Sequence, residues 1–202
     1  MGRSTEGPGA VTAIVLAGGR SARFGSDKLA ADVDGVPLLH RAIRAASAVS
    51  AEVVVVGAPT GLPVELPSIA DVPMRLVRDP ERYQGPLAAL AHAAAVVAHD
   101  RLLLIGGDMP DLQESVLRRL TRWAPGLDGA CLVADGWDRP LPLGLAREAA
   151  ATRAAQLIGD GRQSLRALIA SLDLERVPED EWRALDPEGR SLRDIDRPDD
   201  LR

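Results

Sequence analysis

Residues 11–28 read VTAIVLAGGRSARFGSDK, and this stretch decides the fold. Its first seven residues, Val11 to Ala17, form a short apolar run rich in β-branched side chains, which predicts a buried strand. Two glycines follow at once, so the chain leaves the strand through a turn with wide backbone freedom. In open α/β sheets, ligands bind beyond the carboxyl ends of the strands, and this is where the loop is expected to lie.

The loop itself is basic in an otherwise acidic chain. Arg20, Arg23 and Lys28 stand against Asp27, and this local positive excess favours a polyphosphate ligand. Two residues separate Gly25 from Lys28, so the Walker A pattern is not met, and the adjacent glycines do not fit the dinucleotide fingerprint. The alternative interpretation is an ordinary strand-to-helix turn with solvated basic side chains.

Further along the chain, short apolar runs alternate with helical patterns. Because several of the runs are apolar throughout, the sequence predicts an α/β fold, a three-layer α/β/α arrangement with a mostly parallel, Rossmann-like central sheet. The predicted strands are Val11–Ala17, Val53–Val56, Met74–Val77, Leu102–Ile105, Gly129–Val133 and, near the end, Ser191–Ile195. The predicted helices are Pro37–Val49, Gly85–Ala98, Glu114–Trp123, Ala146–Ile158 and Ser164–Leu172.

Two more strand ends carry candidate site residues. Asp108 comes just after the run LLLIGG at residues 102–107, where a carboxylate that faces a phosphate loop could hold Mg²⁺. The other interpretation of Asp108 is a turn residue before Pro110. After the third strand, Gly85 and Pro86 could open a helix whose N–H groups favour an anion or a base carbonyl.

Composition excludes several classes of protein. The formal net charge is −5 and aromatic residues make up 2% of the chain, which argues against nucleic-acid binding by charge or by stacking. The single cysteine, Cys131, excludes a disulfide framework and a multi-cysteine zinc site. No apolar run is long enough to span a membrane, and Met1 to Ala10 contain no secretory signal, so we expect a cytoplasmic protein. We expect residues 1–10 to be a flexible N-terminus and residues 11–202 to form a single domain.

Taken in order, five motifs resemble those of the molybdenum cofactor guanylyltransferases, which are MobA-like nucleotidyltransferases. They are LAGGRSARFGSDK (16–28), RDPERYQGPLAAL (78–90), LLLIGGDMPDL (102–112), PLGL (142–145) and DIDRPDDL (194–201). The resemblance spans about residues 11 to 202. It implies a nucleotide-diphospho-sugar transferase-like fold, with nucleotide binding in the N-terminal half and acceptor binding in the C-terminal half.

The resemblance also implies roles for particular residues. Backbone atoms of Leu16, Ala17, Gly18 and Gly19 would contact the nucleotide, and Gly85 would lie beside it. Lys28 would neutralise the triphosphate, and Arg23 would assist at its β,γ-phosphates. Asp79 would lie at the base and ribose, and Asp108 would bind Mg²⁺. GTP and a molybdopterin-type acceptor would be the substrates of a monomer or weak homo-oligomer that hands its product to molybdoenzyme maturation proteins.

Two departures from the family pattern leave alternatives open. Ala89 stands where the family often has Gly. Asp194-Ile195-Asp196 stands where the guanylyl branch often has Asn-x-Asn, which favours a CTP-using relative and offers Asp196 as a second metal ligand or as a C-terminal capping residue. A nucleotide-binding regulatory relative without turnover is the non-enzyme alternative, and a dinucleotide-binding oxidoreductase is disfavoured by the adjacent glycines. Arg162 is either a solvated loop residue or a contact for the second substrate's phosphate.

Overall fold

Runs of branched apolar residues form the central sheet of the protein. The computed structural model describes residues 10–18, 28–78 and 85–201. Their strands are β1 (Val11–Ala17), β2 (Asp32–Val33), β3 (Val36–Pro37), β4 (Glu52–Gly57), β5 (Met74–Arg78), β6 (Arg101–Gly106), β7 (Gly129–Ala134), β8 (Trp137–Ala146) and β9 (Leu174–Val177). The predictions of β1, β4, β5, β6 and β7 are confirmed to within one residue at each end.

The main sheet has the order β5-β4-β1-β6-β8-β7-β9, and β2 pairs with β3 in a separate hairpin. Parallel pairing joins β5, β4, β1 and β6, and it also joins β7 to β9. Only β8 runs against both of its neighbours within this part of the chain. The carboxyl ends of β1, β4, β5 and β6 therefore meet at one edge of the sheet, as the sequence predicts.

Helices cover both faces of the sheet. They are α1 (Leu38–Ser47), α2 (Pro86–Ala94), α3 (Glu114–Leu120), α4 (Arg147–Gly159), α5 (Leu165–Ile169) and α6 (Glu179–Leu185). One hydrophobic core packs α1, α3 and α6 against the sheet, and a second packs α2, α4 and α5 against the other face. The predicted three-layer α/β/α architecture is confirmed. No helix among the described residues has the length and apolar character needed to cross a bilayer.

Strand β8 was not expected from the sequence, because prolines inside a run argue against a sheet interior. The structure accommodates Pro140 and Pro142 by a register shift: Cys131 faces Leu143, but Val133 faces Asp138. The extra residues of β8 lie between those two pairs. Gly144 is required further along, since a Cβ there would overlap the Leu120 carbonyl at the end of α3.

The predicted strand Ser191–Ile195 is wrong. Arg190–Leu192 forms a short 3₁₀ turn after Gly189, which has a left-handed backbone. The Ser191 N–H donates to the Asp186 carboxylate (2.7 Å), and the Ile195 N–H donates to the Asp108 carbonyl (3.0 Å). These backbone groups are satisfied without a sheet neighbour, and apolar Ile195 is buried as a single anchor.

A buried carboxylate joins three strands at the edge opposite the carboxyl ends. Glu52 opens β4 and is only 5% exposed. Its Oε2 accepts hydrogen bonds from Thr12 Oγ1 (2.7 Å) and the Ala98 N–H (2.9 Å), and Arg75 binds its Oε1. Burial by itself raises the pKa of Glu52, but the bonds to its carboxylate outweigh this effect and the net pKa is lowered. The charged form of Glu52 therefore stabilises the folded state.

We expect Glu52→Gln to lower the free energy of unfolding by about 1–3 kcal/mol at pH 7, because buried donors lose a charged acceptor. Since the folded-state pKa is lowered, the contribution of Glu52 is complete above its unfolded-state pKa and is lost as the pH falls through the folded-state value. Urea unfolding between pH 7 and pH 3 measures this, with exposed Glu148→Gln as the control. A stability difference that is the same at every pH would contradict a role for the Glu52 charge.

Candidate active site

The pairing of β1 with β6 brings the end of β1 beside the end of β6, which Asp108 follows two residues later. Leu16 is in register with Gly106, and the Gly107 N–H donates to the Leu16 carbonyl at 2.9 Å. A Cβ on Gly107 would lie 3.1 Å from that carbonyl, which is a tight contact, so the close approach favours glycine. The two strand ends thus form one continuous backbone surface at the carboxyl edge of the sheet.

Gly106 serves a different purpose, which is to leave room for the Asp108 side chain. A Cβ at Gly106 would lie 2.5 Å from Asp108 Oδ1. The carboxylate can therefore fold back over the end of β6 only because residue 106 has no side chain. The run Gly106-Gly107-Asp108 is explained by both requirements, since one glycine admits β1 and the other admits the carboxylate.

Lys28 is the only lysine of the chain, and its ammonium group lies between two carboxylates. Its Nζ is 2.7 Å from Asp108 Oδ2 and 3.2 Å from Asp196 Oδ1. The next residue, Leu29, is buried in the core on the α1 face and anchors the short helix Lys28–Ala30. Burial opposes the charge of Lys28, but the two carboxylates outweigh this effect and raise its pKa. Lys28 is therefore a fixed cation at the carboxyl edge.

A third carboxylate, Asp194, lies in the same field. Loss of hydration is the largest cause that raises the pKa of Asp194, and the charges of Asp196 and Asp108 raise it further. Asp194 thus adds a third negative charge to the surroundings of the Lys28 ammonium group. Sequence analysis did not include Asp194 among the site residues, although the Asp-Ile-Asp spacing in an exposed segment was a usable signal.

This arrangement suits a divalent cation that arrives with a phosphate ligand. Mg²⁺ is usually held by one or two protein carboxylates and completes its shell with waters and phosphate oxygens. Asp108 and Asp196 supply two carboxylates, and the part of the chain that the structure describes contains no group of three or more side chains able to hold a metal alone. The residues present fit a metal shared with a substrate better than a permanent structural metal.

A cleft of about 640 Å³ lies on the other face of the sheet at the carboxyl edge. It is lined by Gly85, Pro86, Pro140, Arg162, Gln163, Ser164, Leu165 and Arg166. Gly85 has a φ of +88° and caps α2, and a Cβ there would lie 3.2 Å from the Gln163 carbonyl. The guanidinium groups of Arg162 and Arg166 form no hydrogen bond or ion pair with another described residue. Two exposed positive charges are therefore available to an anion.

The structure brings most of the described candidates together. Leu16, Ala17 and Gly18 lie at the end of β1, next to the cluster of Lys28, Asp108 and Asp196. Gly85 lies at the same edge of the sheet in the cleft on the α2 face. Predictions for Gly19, Arg23 and Asp79, and for residues 1–9, fall outside the described residues.

Cys131 is not part of this chemistry. It lies in β7 and is fully buried. Burial first, and then the Asp138 carboxylate, raises the pKa of its thiol to about 11. The thiolate needed for nucleophilic attack is therefore scarce at neutral pH.

Comparison with known proteins identifies the family of this chain. The family model described as MobA-like NTP transferase domain matches residues 13–177. A molybdenum cofactor guanylyltransferase of Xanthomonas euvesicatoria is 35% identical over 170 residues, which cover 82% of each chain.

Solved structures share the fold. Molybdopterin-guanine dinucleotide biosynthesis protein A of Archaeoglobus fulgidus superposes with a TM-score of 0.73 at 21% identity over 94% of each chain. A Mycobacterium tuberculosis protein solved as a complex with manganese has a TM-score of 0.58 at 17% identity, over 87% of this chain and 97% of that one. The matched family model and the relative at 35% identity together show that the chain belongs to the MobA-like NTP transferase family.

Proposed function

We propose that this protein transfers GMP from GTP to the phosphate of molybdopterin or its molybdate-loaded form, with Mg²⁺ as cofactor and pyrophosphate as the second product. The observation that carries the proposal is the Lys28 ammonium held by Asp108 and Asp196 beside the Leu16–Gly18 backbone. A cation and two carboxylates at a phosphate-binding edge are the parts that a metal-dependent nucleotidyl transfer needs. Retention of both Lys28 and Asp108 disfavours a regulatory relative without turnover.

In this reaction an oxygen of the acceptor phosphate attacks the α-phosphorus of GTP in line. The bond from the α-phosphorus to the bridging oxygen breaks, and pyrophosphate leaves with that electron pair. The acceptor phosphate is already ionised at neutral pH, so no general base is required. The protein therefore contributes positioning and charge neutralisation. Bound Mg²⁺ would be held by Asp108 and Asp196 and would neutralise charge on the phosphates.

Guanine is the proposed base for two reasons. The relative in Xanthomonas is named a guanylyltransferase. Guanine also needs an N–H donor near O6 and an acceptor near N1 and N2, and the backbone of Leu16–Gly18 carries both kinds of group where β1 ends. The Asp-Ile-Asp segment favours CTP instead. A comparison of the two nucleotides as donors, described below, separates the two possibilities.

We infer that residues 11–202 act as one transferase domain whose C-terminal half receives the acceptor. The cleft at Arg162 and Arg166 supports acceptor binding by the C-terminal half, because its two exposed guanidinium groups suit a phosphate monoester. The cleft opens at the same sheet edge as the Lys28 cluster. An acceptor bound there could therefore reach the α-phosphorus of a nucleotide bound at that cluster. A cytoplasmic location, the monomeric or weakly oligomeric state, and product transfer to maturation proteins stay predictions.

The deciding experiment measures pyrophosphate release with molybdopterin as acceptor and GTP, CTP, ATP or UTP in turn. We expect GTP to react fastest, because a site built around purine hydrogen bonds leaves its own groups unpaired with another base, at about 1–3 kcal/mol each. Faster release with CTP would overturn the guanylyl assignment alone. Absence of release with every donor would overturn the proposed activity.

Substitution of the carboxylates tests the metal assignment. We expect Asp108→Asn to keep the fold and to lower turnover by about 10²–10³-fold, which is typical when one preorganised charge is lost. Asp196→Asn should raise the Mg²⁺ concentration required for half-maximal rate. Asp100→Asn is the matched control, since Asp100 pairs with Arg147 just before β6 at the opposite edge. Near-normal turnover of Asp108→Asn would remove this residue from the mechanism.

A further inference from the structure

The segment that carries Asp196 is not part of the sheet, yet it is held firmly in place. We call residues 190–200 the C-terminal strap. Ser191 and Ile195 of the strap are fully buried and anchor it. The side chain of Asp196, the next residue, is 58% exposed. Without further ties, an exposed side chain on an irregular segment would sample many positions. Its observed contact with Lys28 therefore needs an explanation from the surrounding residues.

One such tie is Asp111, which links the strap to the rest of the site. Asp111 Oδ2 accepts a hydrogen bond from Arg193 Nη1 at 2.9 Å, and Oδ1 accepts one from Arg41 Nη2 at 3.0 Å. The Asp111 side chain is only 14% exposed, so both ion pairs are partly shielded from water. Arg41 belongs to α1 and also donates to the Pro110 carbonyl (3.2 Å). Asp111 thus joins α1, the loop that bears Asp108, and the strap.

Arg193 also holds the C-terminal end of the turn that contains Asp196. Arg193 donates to the Asp200 carbonyl, and Asp200 Oδ2 accepts the N–H groups of Asp196 (3.0 Å) and Arg197 (2.7 Å). Residues on both sides of Asp196 are therefore tied to one guanidinium group. That guanidinium group is in turn oriented by Asp111.

We propose that Asp111 is a positioning residue that, through Arg193, holds Asp196 against Lys28 and Asp108. The Asp111 carboxylate bonds to Arg41 and Arg193 rather than to Lys28 or Asp108. Its effect on the site therefore comes through the position of the Asp196 carboxylate. The catalytic consequence rests on the proposed function, in which Asp196 helps to hold the metal of the nucleotide complex. The placement of the strap does not rest on it.

The first test measures hydrogen exchange of the strap in the ligand-free protein. Asp111→Asn keeps the shape of the side chain but removes its charge, and we expect the Ile195 and Asp196 amides to exchange about tenfold faster. Glu175→Gln is the control, because it also breaks a partly shielded ion pair with an arginine, Arg119, and makes no contact with the strap. Unchanged exchange in Asp111→Asn would overturn the proposal whatever the protein's activity is.

The second test measures Mn²⁺ affinity by electron paramagnetic resonance with a non-hydrolysable GTP analogue. We expect Asp111→Asn to weaken Mn²⁺ binding about tenfold in the parent protein, as loss of a supporting partner of a ligand typically does, and less than about twofold when Asp196→Asn is already present. Equal weakening in both backgrounds would assign Asp111 a general structural role and overturn the proposal.

A variant that spares the Arg41 contact keeps the test independent of folding defects. Arg193→Gln leaves the Asp111–Arg41 pair intact, and we expect it to reproduce both effects of Asp111→Asn. If the parent protein binds no Mn²⁺ with the analogue, the proposed function fails, and the exchange experiment still decides the positioning claim. Normal strap exchange in both variants would leave no role for Asp111 in placing Asp196.

Discussion

The site depends on the parallel pairing of β1 with β6. This pairing sets Leu16 beside Gly106, and thereby sets the carboxyl end of β1 beside the segment that bears Asp108. The positions of Asp108 and Lys28 at this edge depend on that register. A shift of one residue would turn each buried side chain of β1 to the other face of the sheet. The core on both faces fixes the register, and glycine at positions 106 and 107 lets the chain exploit it.

Charge balance then determines how the site is used. One ammonium group, from Lys28, contacts the carboxylates of Asp108 and Asp196, and the charge of Asp194 adds to theirs. In the ligand-free protein, Lys28 compensates part of that negative charge. A triphosphate that arrives with a divalent cation supplies both the anion that Lys28 can bind and the cation that the carboxylates can bind. Under the proposed function, we therefore expect the cluster to bind the two ligands together more tightly than either one alone.

The sequence predicted the parts of the fold that local pattern controls. Buried valine and leucine runs such as Val53–Val56 identify strands directly, and the position of Asp108 after such a run identifies it as a candidate ligand. Strand β8 was missed because Pro140 and Pro142 contradict the usual strand pattern, and only a register shift against β7 makes room for them. Ser191–Ile195 forms no strand, because the Ser191 N–H bonds to the nearby Asp186 carboxylate and the Ile195 N–H bonds to the Asp108 carbonyl, which lies far away in sequence. Asp111 was missed because its role depends on Arg41 and Arg193, which are 70 and 82 residues away along the chain.

Nucleotide binding at Lys28, as proposed above, can be measured directly because Lys28 is the only lysine of the chain. An amine-specific acylating reagent can label only Lys28 and the α-amine, and peptide mass spectrometry separates the two products. We expect GTP at about 100 times its Kd, with Mg²⁺, to slow acylation of Lys28 by about tenfold or more and to leave the α-amine unaffected. Acylation of Lys28 at an unchanged rate, with GTP binding verified by calorimetry under the same conditions, would contradict this proposal.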